Sequence, residues 1–347
     1  MNIDLLDNIG KKSSDLTKFL SSETDGVFYT GHASILVRLN KKKYLFDYIN
    51  NTNFYRNSWI FFPNQIIDKR LYNVDGVFVS HIHQDHYDPA LLRKFQRKGV
   101  PIYILNGREN FKKALKKEKL KVNLIPVKKK TFISNNTWVY GCLHEYNDID
   151  SSLVISNNNL SVYHGNDNFI TEKSLIPFKK KVGNIDVGCI PFAYINYYPY
   201  LLNGISNKQN KSEARRLENL FMDYGIKQSK ILKPKIIIPF GSNLFHIDNP
   251  KCAMNKGVAT PVDFVNYAKK QHKHLSNNYK TMLSGSFCLK KNDKIQLFYE
   301  NIDKQYFNSE LIKFTNKKKQ TKVKKNKINI VTINKDKLIN LKNKISK

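Results

Sequence analysis

One hexapeptide concentrates the side chains that are best suited to hold metal ions. Residues 81–86 read His-Ile-His-Gln-Asp-His and contain three of the nine histidines in the chain. Imidazole and carboxylate groups are ligands that zinc, iron and manganese accept. In an extended segment alternate side chains point the same way, so His81 and His83 can hold one metal while Asp85 and His86 turn toward a second. A merely solvated polar loop is disfavoured, because an apolar run leads directly into the cluster.

Strands and helices that could position this hexapeptide are visible in the hydrophobic pattern. Residues 76–80 form the apolar run of a buried strand, and it ends where the histidines begin. Further strands are predicted at 26–29, 34–39, 44–46, 102–105, 122–127, 137–141, 152–155, 160–163 and 235–239. Helices are predicted at 89–97, which starts with a proline, and at 213–224. The pattern predicts an α+β fold, an αββα sandwich of two mixed sheets flanked by helices.

The hexapeptide matches the HxHxDH signature of the metallo-β-lactamase superfamily, which the chain resembles from about residue 25 to residue 290. The resemblance implies further site residues. His144 matches the third histidine of the first metal, and His246 matches the last histidine of the second. Asp167 matches the aspartate that bridges both metals, and it follows Asn166 where the family usually has glycine. Asp47 matches an aspartate that supports the metal-binding loops from behind.

A dinuclear site with seven ligands is what this resemblance implies. One metal would be held by His81, His83 and His144, the other by Asp85, His86 and His246, with Asp167 as the bridge; Asp248 is an alternative to His246. Two divalent metals lower the pKa of a shared water so that it can attack carbon or phosphorus. Asp85 and Asp167 are the candidate catalytic carboxylates. Zinc is favoured, although iron and manganese accept the same ligands.

A second motif, Gly31-His32-Ala33-Ser34, narrows the resemblance to one branch of the superfamily. That branch includes ascorbate-phosphate lactonase, N-acylphosphatidylethanolamine phospholipase D and the metallo-β-lactamase-like domain of CMP-sialic acid hydroxylase. It implies a metal-dependent hydrolase acting on a small anionic substrate, such as a phosphoester, a lactone or a sugar nucleotide. The alternative is an iron-dependent oxygenase resembling the hydroxylase. The chain lacks the paired cysteines of a Rieske module, so an oxygenase would require a separate electron donor.

Candidate substrate-binding residues lie in the second half of the chain. Tyr197 and Tyr198 could form walls of a pocket, and Arg215 and Arg216 could meet an anionic group. The competing interpretation is ordinary packing for the tyrosines and a solvated helix face for the arginines. Specificity itself is expected to lie in the loops 165–187 and 203–211.

The formal net charge of +31 raises a third function, a nucleic-acid-processing hydrolase. Only 8 of the 59 basic residues are arginine, however, and lysine, asparagine and isoleucine are together what AT-rich codons supply. No basic stripe interleaved with aromatic residues is visible. A small-molecule substrate is therefore favoured over nucleic acid as the partner.

The composition of the chain predicts its domain organisation and its cellular compartment. Residues 313–347 contain thirteen lysines and one acidic residue, which predicts a lysine-rich extension after a catalytic domain at 1–312. No run approaches the roughly 20 apolar residues of a membrane span. Four widely spaced cysteines and an N-terminus without an apolar signal core favour the reducing cytoplasm.

Overall fold

The chain folds around strands that form two large sheets and one small sheet. The computed structural model describes residues 13–50, 53–54, 58–107, 109–146, 149–193, 195, 198–199, 204, 206–241, 243–246, 255 and 258–320. The strands in this part are β1 (Gly26–Gly31), β2 (Ser34–Leu39), β3 (Lys42–Phe46), β4 (Asn53–Phe54), β5 (Trp59–Phe61), β6 (Gly76–Phe78), β7 (Ile102–Leu105), β8 (Asn123–Ile125), β9 (Thr131–Ser134), β10 (Thr137–Leu143), β11 (Ser151–Ser156), β12 (Ser161–His164), β13 (Val187–Pro191), β14 (Ile236–Phe240), β15 (Leu244–His246), β16 (Phe287–Lys291) and β17 (Lys294–Phe298). The helices are α1 (Ser13–Ser21), α2 (Pro89–Arg97), α3 (Glu109–Lys117), α4 (Glu172–Val182), α5 (Asn207–Leu232), α6 (Pro261–Gln271) and α7 (Lys304–Gln320), and two short 3-10 helices span Lys69–Tyr72 and Lys273–Asn278.

Both large sheets are mixed. The first has eight strands in the order β17-β16-β1-β2-β3-β6-β7-β8, and the second has six in the order β14-β13-β12-β11-β10-β9. The pairs from β3 through β6 and β7 to β8 are parallel, as are the pairs from β12 through β13 to β14. A small sheet of β15, β5 and β4 lies beside them.

Alternation along the strands explains how the layers pack. In β2, Ile35 and Val37 join the core between the two large sheets, whereas Leu36 points to the other face and joins the core beneath α1–α3. In β12, Val162 likewise faces the first sheet, and Tyr163 packs under α4–α6. The predicted αββα sandwich is therefore confirmed.

Helices and edge strands account for most of the differences from the sequence-based prediction. A capping box at Ser206 starts α5 six residues before the predicted position, and the helix continues to Leu232. The first specificity loop contains α4, and the second contains the first turn of α5. The hairpin of β16 and β17 adds an unpredicted edge to the first sheet. Among the described residues, no helix combines the length and the apolarity of a bilayer span.

The predicted domain boundary falls inside a helix. α7 runs through residue 312, and its Phe307, Leu311 and Phe314 pack with Phe62 in a satellite core beside the small sheet. Residues 321–347 lie outside the described part. A separate lysine-rich extension remains a prediction for that segment.

Candidate metal centre

Parallel strands bring the predicted site residues to one edge of the sandwich. The register pairs Phe46 of β3 with Phe78 of β6, and the amide of Asp47 donates to the carbonyl of Phe78 at 3.0 Å. The loops that follow these two strands are therefore neighbours. In the second sheet the carboxyl ends of β12 and β14 meet at the same edge. There Asp167 faces Gly241, which has a φ of +77°, and any Cβ at position 241 would lie 2.8 Å from Asp167 Oδ1.

The hexapeptide itself is a tight reversal between β6 and α2. The backbone amides of His86 and Tyr87 both donate to the carbonyl of His83, at 3.0 and 2.9 Å. Asp88 then caps α2 by accepting from the amide of Leu91, with Pro89 in the first turn. This reversal is why four ligand-type side chains can converge from six consecutive residues.

Asp47 orients two of the histidines. Its carboxylate accepts from the amide and hydroxyl of Ser80, at 2.8 and 2.5 Å, and from His86 Nδ1 at 3.0 Å. Because the Ser80 hydroxyl donates to Asp47, its oxygen can accept from His81 Nδ1, 3.0 Å away. This arrangement favours a proton on Nδ1 of each ring, with Nε2 turned inward. Such outer partners commonly fix the tautomer of a metal-ligating histidine.

Two groups of potential ligand atoms result, each within 4.8 Å: His81 with His83 and Asp167, and Asp85 with His86 and His32. In the first group His81 Nε2 lies 2.7 Å from His83 Nδ1. In the second group His86 Nε2 lies 3.5 Å from Asp85 Oδ2. The groups meet at Asp167, whose Oδ2 is 3.2 Å from His86 Nε2 and 4.0 Å from His81 Nε2.

The donor set fits a divalent metal. His86 Nε2 is buried and has no partner with hydrogen-bond geometry among the described atoms. Two atoms that share one tetrahedral zinc at its usual bond lengths are about 3.3 Å apart. The 3.2 and 3.5 Å separations between His86 Nε2 and the oxygens of Asp167 and Asp85 are close to that spacing.

The pKa values of neighbouring residues in the centre are shifted in different directions. Burial lowers the pKa of His81 well below its usual range, and the positive charge on His86 adds to the effect. Burial also opposes ionisation of Asp85 and His86, but mutual attraction outweighs it. The pKa of Asp85 is lowered well below its usual range, chiefly by His86, and the pKa of His86 is raised well above its own, chiefly by Asp167 and Asp85. A metal that binds His86 Nε2 must therefore compete with a proton that the two carboxylates favour.

His144 and His246 lie outside both groups. His144 lines the cavity beside the centre, and its Nδ1 accepts from the amide of Tyr146 at 3.0 Å. His246 on β15 is buried edge-on against Trp59, with ring centroids 5.2 Å apart. Asp248, the alternative ligand, lies outside the described residues. The ligand roles of these residues remain predictions.

A cavity of about 840 Å³ opens from the centre toward α4 and α5. Its metal-side wall includes His83, Asp85, His144 and Asp167. Apolar and aromatic side chains dominate the rest, namely Trp59, Phe169, Ile170, Leu175, Ala193, Ile195, Phe221, Tyr224, Ile231 and Leu244. Lys227 is the one lysine or arginine among the described lining residues, and its ammonium group lies 5.9 Å from the centroid of the Tyr224 ring.

Three of the four predicted substrate-binding residues lie outside the lining of this cavity. Tyr198 is exposed and donates to Glu213 at 2.9 Å, and Arg216 binds the same carboxylate at 2.7 and 2.8 Å. Arg215 is exposed on α5. None of these three lines the cavity, because α5 presents later residues to it. Tyr197 lies outside the described residues.

Sequence reasoning overlooked two contributors to the centre. His32 belongs to the Gly-His-Ala-Ser motif, and its Nε2 lies 3.0 Å from Asp85 Oδ2. The motif was the available signal, but it was used only to narrow the family. Asn166, at a φ of +54°, occupies the left-handed turn where the family has glycine, and its amide lies 3.3 Å from His81 Nδ1.

Comparison with known proteins supports the assignment of the fold. The sequence model described as "Beta-lactamase superfamily domain" matches residues 26–204. Igni18, a metallo hydrolase from the archaeon Ignicoccus hospitalis, superposes with a TM-score of 0.52 at 15% identity, covering 80% of this chain and all of that one. Isothiocyanate hydrolase from Delia radicum gut bacteria superposes with a TM-score of 0.51 at 13% identity, covering 79% of this chain and all of that one.

A curated relative matches only a short segment. It is a Mycolicibacterium smegmatis protein named "Putative Rieske 2Fe-2S iron-sulfur protein", and it is 34% identical over 76 residues. That segment is 21% of this chain and 14% of the relative. The family match, in contrast, spans more than half of the chain and contains the hexapeptide. The chain therefore belongs to the metallo-β-lactamase superfamily and is a metal-dependent enzyme with the fold of its hydrolases.

Proposed function

We propose that the protein is a hydrolase that binds two divalent metals, zinc in preference to iron or manganese, and acts on a small anionic substrate. The observation that carries the proposal is the position of Asp167. Its carboxylate lies between the His81–His83 group and the Asp85–His86 group, where one side chain can serve both. Two bound metals supply an ionised water at neutral pH and neutralise charge that develops on the substrate.

The protein's own groups contribute orientation and charge. Asp47 holds His86 directly and His81 through Ser80, so both rings offer Nε2 to the centre. Asp85 is buried and Asp167 is partly exposed toward the cavity. Asp167 is therefore the carboxylate positioned beside the incoming substrate. Asp85 would accept a proton if only one metal is bound.

The cavity supports a substrate with an apolar body and an anionic group. Its volume of about 840 Å³ lies in the range of small-molecule sites. Phe169, Phe221 and Tyr224 form an aromatic wall, with ring centroids 4.8 to 6.0 Å apart. Lys227 beside this wall can meet a phosphate or carboxylate.

Metal analysis of wild-type protein and of His83→Ala tests the proposal. The wild type should hold two equivalents of zinc and hydrolyse a member of a panel of aryl phosphates and aryl lactones. His83→Ala should lose bound metal and hydrolysis together, because His83 faces both His81 and the cavity. The exposed His274→Ala is the matched control and should retain both. If His83→Ala keeps its metal and its activity, the assignment is wrong.

An iron-dependent oxygenase is the second candidate. The match to a segment of a protein named as a Rieske iron–sulfur protein is the observation in its favour, and histidine and carboxylate ligands do not choose zinc over iron. Metal analysis and dioxygen measurements on protein purified without added metal distinguish the oxygenase from the hydrolase. Iron in the centre with consumption of dioxygen would support the oxygenase. Two equivalents of zinc with no dioxygen consumption would exclude it.

A further inference from the structure

His32 lies in the centre, yet the proposed ligand set gives it no role. It occupies the turn between β1 and β2, is 1% exposed, and its ring lies 5.3 Å from that of His86. Its φ is +46°, in the left-handed region that residues other than glycine seldom adopt. Gly31 before it has a φ of +135° and packs on the backbone of Gln65, where a Cβ would lie 2.8 Å from Gln65 Cα. Such conformations persist only where the surroundings impose them.

The turn is held from several sides. The Tyr29 hydroxyl donates to the carbonyl of His32 at 2.7 Å, and His164 Nε2 donates to the carbonyl of Ala33 at 3.1 Å. The imidazole of His32 stacks on Phe61, with centroids 4.5 Å apart and an interplanar angle of 18°. These contacts fix the direction of Nε2, which lies 3.0 Å from Asp85 Oδ2.

The partners of the two ring nitrogens distinguish His32 from the metal-binding histidines. A ligating histidine donates one ring N–H to an outer acceptor and offers its other nitrogen to the metal. His86 has this arrangement, with Nδ1 on Asp47 and a buried Nε2 without a hydrogen-bond partner among the described atoms. In His32 the two ring nitrogens have the opposite environments. Its Nε2 faces a carboxylate, which accepts only, and its buried Nδ1 has no partner among the described atoms. If His32 bound the metal through Nε2, it would leave a buried N–H on Nδ1 without an acceptor.

We propose that His32 is a positioning residue that holds the metal ligand Asp85 by donating its Nε2–H to Oδ2. This inference rests on the proposed dinuclear centre and adds a residue to the subsite of Asp85 and His86. The hydrogen bond fixes the Asp85 carboxylate beside His86 Nε2, so the subsite is arranged before any metal arrives. Removal of such an outer partner typically lowers metal affinity 10- to 100-fold.

The test is stepwise zinc titration of chelator-treated protein, read with a competing chromophoric chelator. His32→Ala should bind the second equivalent about 10- to 100-fold more weakly and the first within about twofold of wild type. His32→Gln, whose amide nitrogen reaches nearly as far as Nε2, should recover most of that loss. His32→Asn, whose amide is too short, should not. His272→Gln is the control, because it removes a buried imidazole that is bonded to Tyr279, away from the centre.

Three results would overturn the proposal or its basis. An unchanged second affinity in His32→Ala excludes the positioning role. If His32→Gln loses the second equivalent of zinc as completely as His86→Ala does, His32 is a metal ligand and not a positioning residue. If the wild type binds only one equivalent of zinc, the proposed dinuclear centre is itself wrong. That result is distinguishable from failure of the positioning role of His32. Thermal unfolding of the metal-free variants checks folding, and if His32→Ala does not fold, the Gln and Asn pair decides.

Discussion

Buried charged groups lie at both ends of the sandwich, but the two ends use them differently. The site cluster comprises His32, Asp47, His81, Asp85 and His86, and the distal cluster comprises Asp25, Asn157, Asp186 and Lys290. His32 follows β1 whereas Asp25 precedes it, so the two clusters lie at opposite ends of the same strand. Both join elements from different parts of the chain.

In the distal cluster each charged group is matched. Asp25 accepts from the amide of Asn40 and from the side chains of Asn157 and Asn159, each at 2.7 Å. Lys290 of β16 reaches across to Asp186, ahead of β13, at 3.1 Å, and also donates to the carbonyl of Asn159. These bonds link the first sheet to the second.

The site cluster, in contrast, contains two buried nitrogen atoms without a hydrogen-bond partner among the described atoms, His86 Nε2 and His32 Nδ1. His86 Nε2 instead faces the carboxylates of Asp167 and Asp85, at 3.2 and 3.5 Å. Burying unmatched polar atoms is costly, so natural structures keep them where a ligand or a reaction uses them. Burial of charge alone therefore does not mark a functional site.

Lys290→Met is the largest perturbation, and it tests the structural role of the distal cluster. Among the described residues it leaves Asp186 with the half-exposed Lys235, at 2.9 Å, as its remaining cationic partner. Breaking a buried ion pair by removing one partner costs about 3 kcal/mol. Chemical denaturation should show that loss in the free energy of unfolding, while zinc stoichiometry stays at the wild-type value. The exposed neighbour Lys291→Met should change neither. A loss of zinc in Lys290→Met would break the proposed separation of roles.

The pH dependence of the metal-free protein tests the site cluster. The pKa of His86 is raised in the folded state, chiefly by Asp167 and Asp85 acting against burial. Its stabilising contribution is therefore complete below the unfolded pKa of about 6.5 and is lost as pH rises toward the folded value. The free energy of unfolding should fall by up to about 1.4 kcal/mol per pH unit as pH rises above about 6.5.

His86→Gln should abolish that slope, and so should saturation with zinc, because the metal takes the place of the proton. Denaturant titrations at several pH values measure this slope of the free energy of unfolding. His81 works in the opposite direction. Burial lowers its pKa, so its contribution is lost only as pH falls below about 6.5. A slope that survives in His86→Gln would mean that another group titrates in this window.

Lys227→Met should have the smallest effect, because its charge is exposed at the cavity and not buried. Exposed ion pairs contribute about 0.2 to 1 kcal/mol. KM for an anionic aryl substrate should rise about two- to fivefold, with kcat, zinc content and stability unchanged. A neutral substrate of the same shape should show no change. Lys230→Met, on the same helix but outside the cavity, is the control. Equal KM values for the anionic substrate in both variants would remove Lys227 from substrate recognition.

Much of the fold could be predicted from the sequence, because strand and helix periodicity is local. The apolar run at 76–80 ends at the histidines, and the structure places β6 there. Of the seven proposed ligands, five lie together: His81, His83, Asp85 and His86 of the motif, and Asp167, which the family resemblance supplied. Their proximity follows from parallel strands whose carboxyl ends lie at the same edge of the sandwich.

The remaining features depend on contacts between distant residues. His32 is 53 positions from Asp85, and a four-residue motif does not specify a hydrogen bond across that separation. The sequence offered Arg215 and Arg216 as candidates to meet an anionic group because of their charge, with a solvated helix face as the alternative. Those side chains lie on the exposed face of α5, and the helical spacing that turns Phe221 and Tyr224 toward the cavity requires knowledge of what α5 packs against.

The cavity wall on α5 has an evolutionary consequence. Phe221, Tyr224 and Ile231 face the cavity, whereas Met222 and Ile226 on the same helix pack against the second sheet. The cavity-facing side of α5 thus carries none of the proposed metal ligands. Selection can retune this face of the helix while the proposed ligands stay unchanged. We expect a combinatorial library at Phe221, Tyr224 and Ile231 to alter specificity.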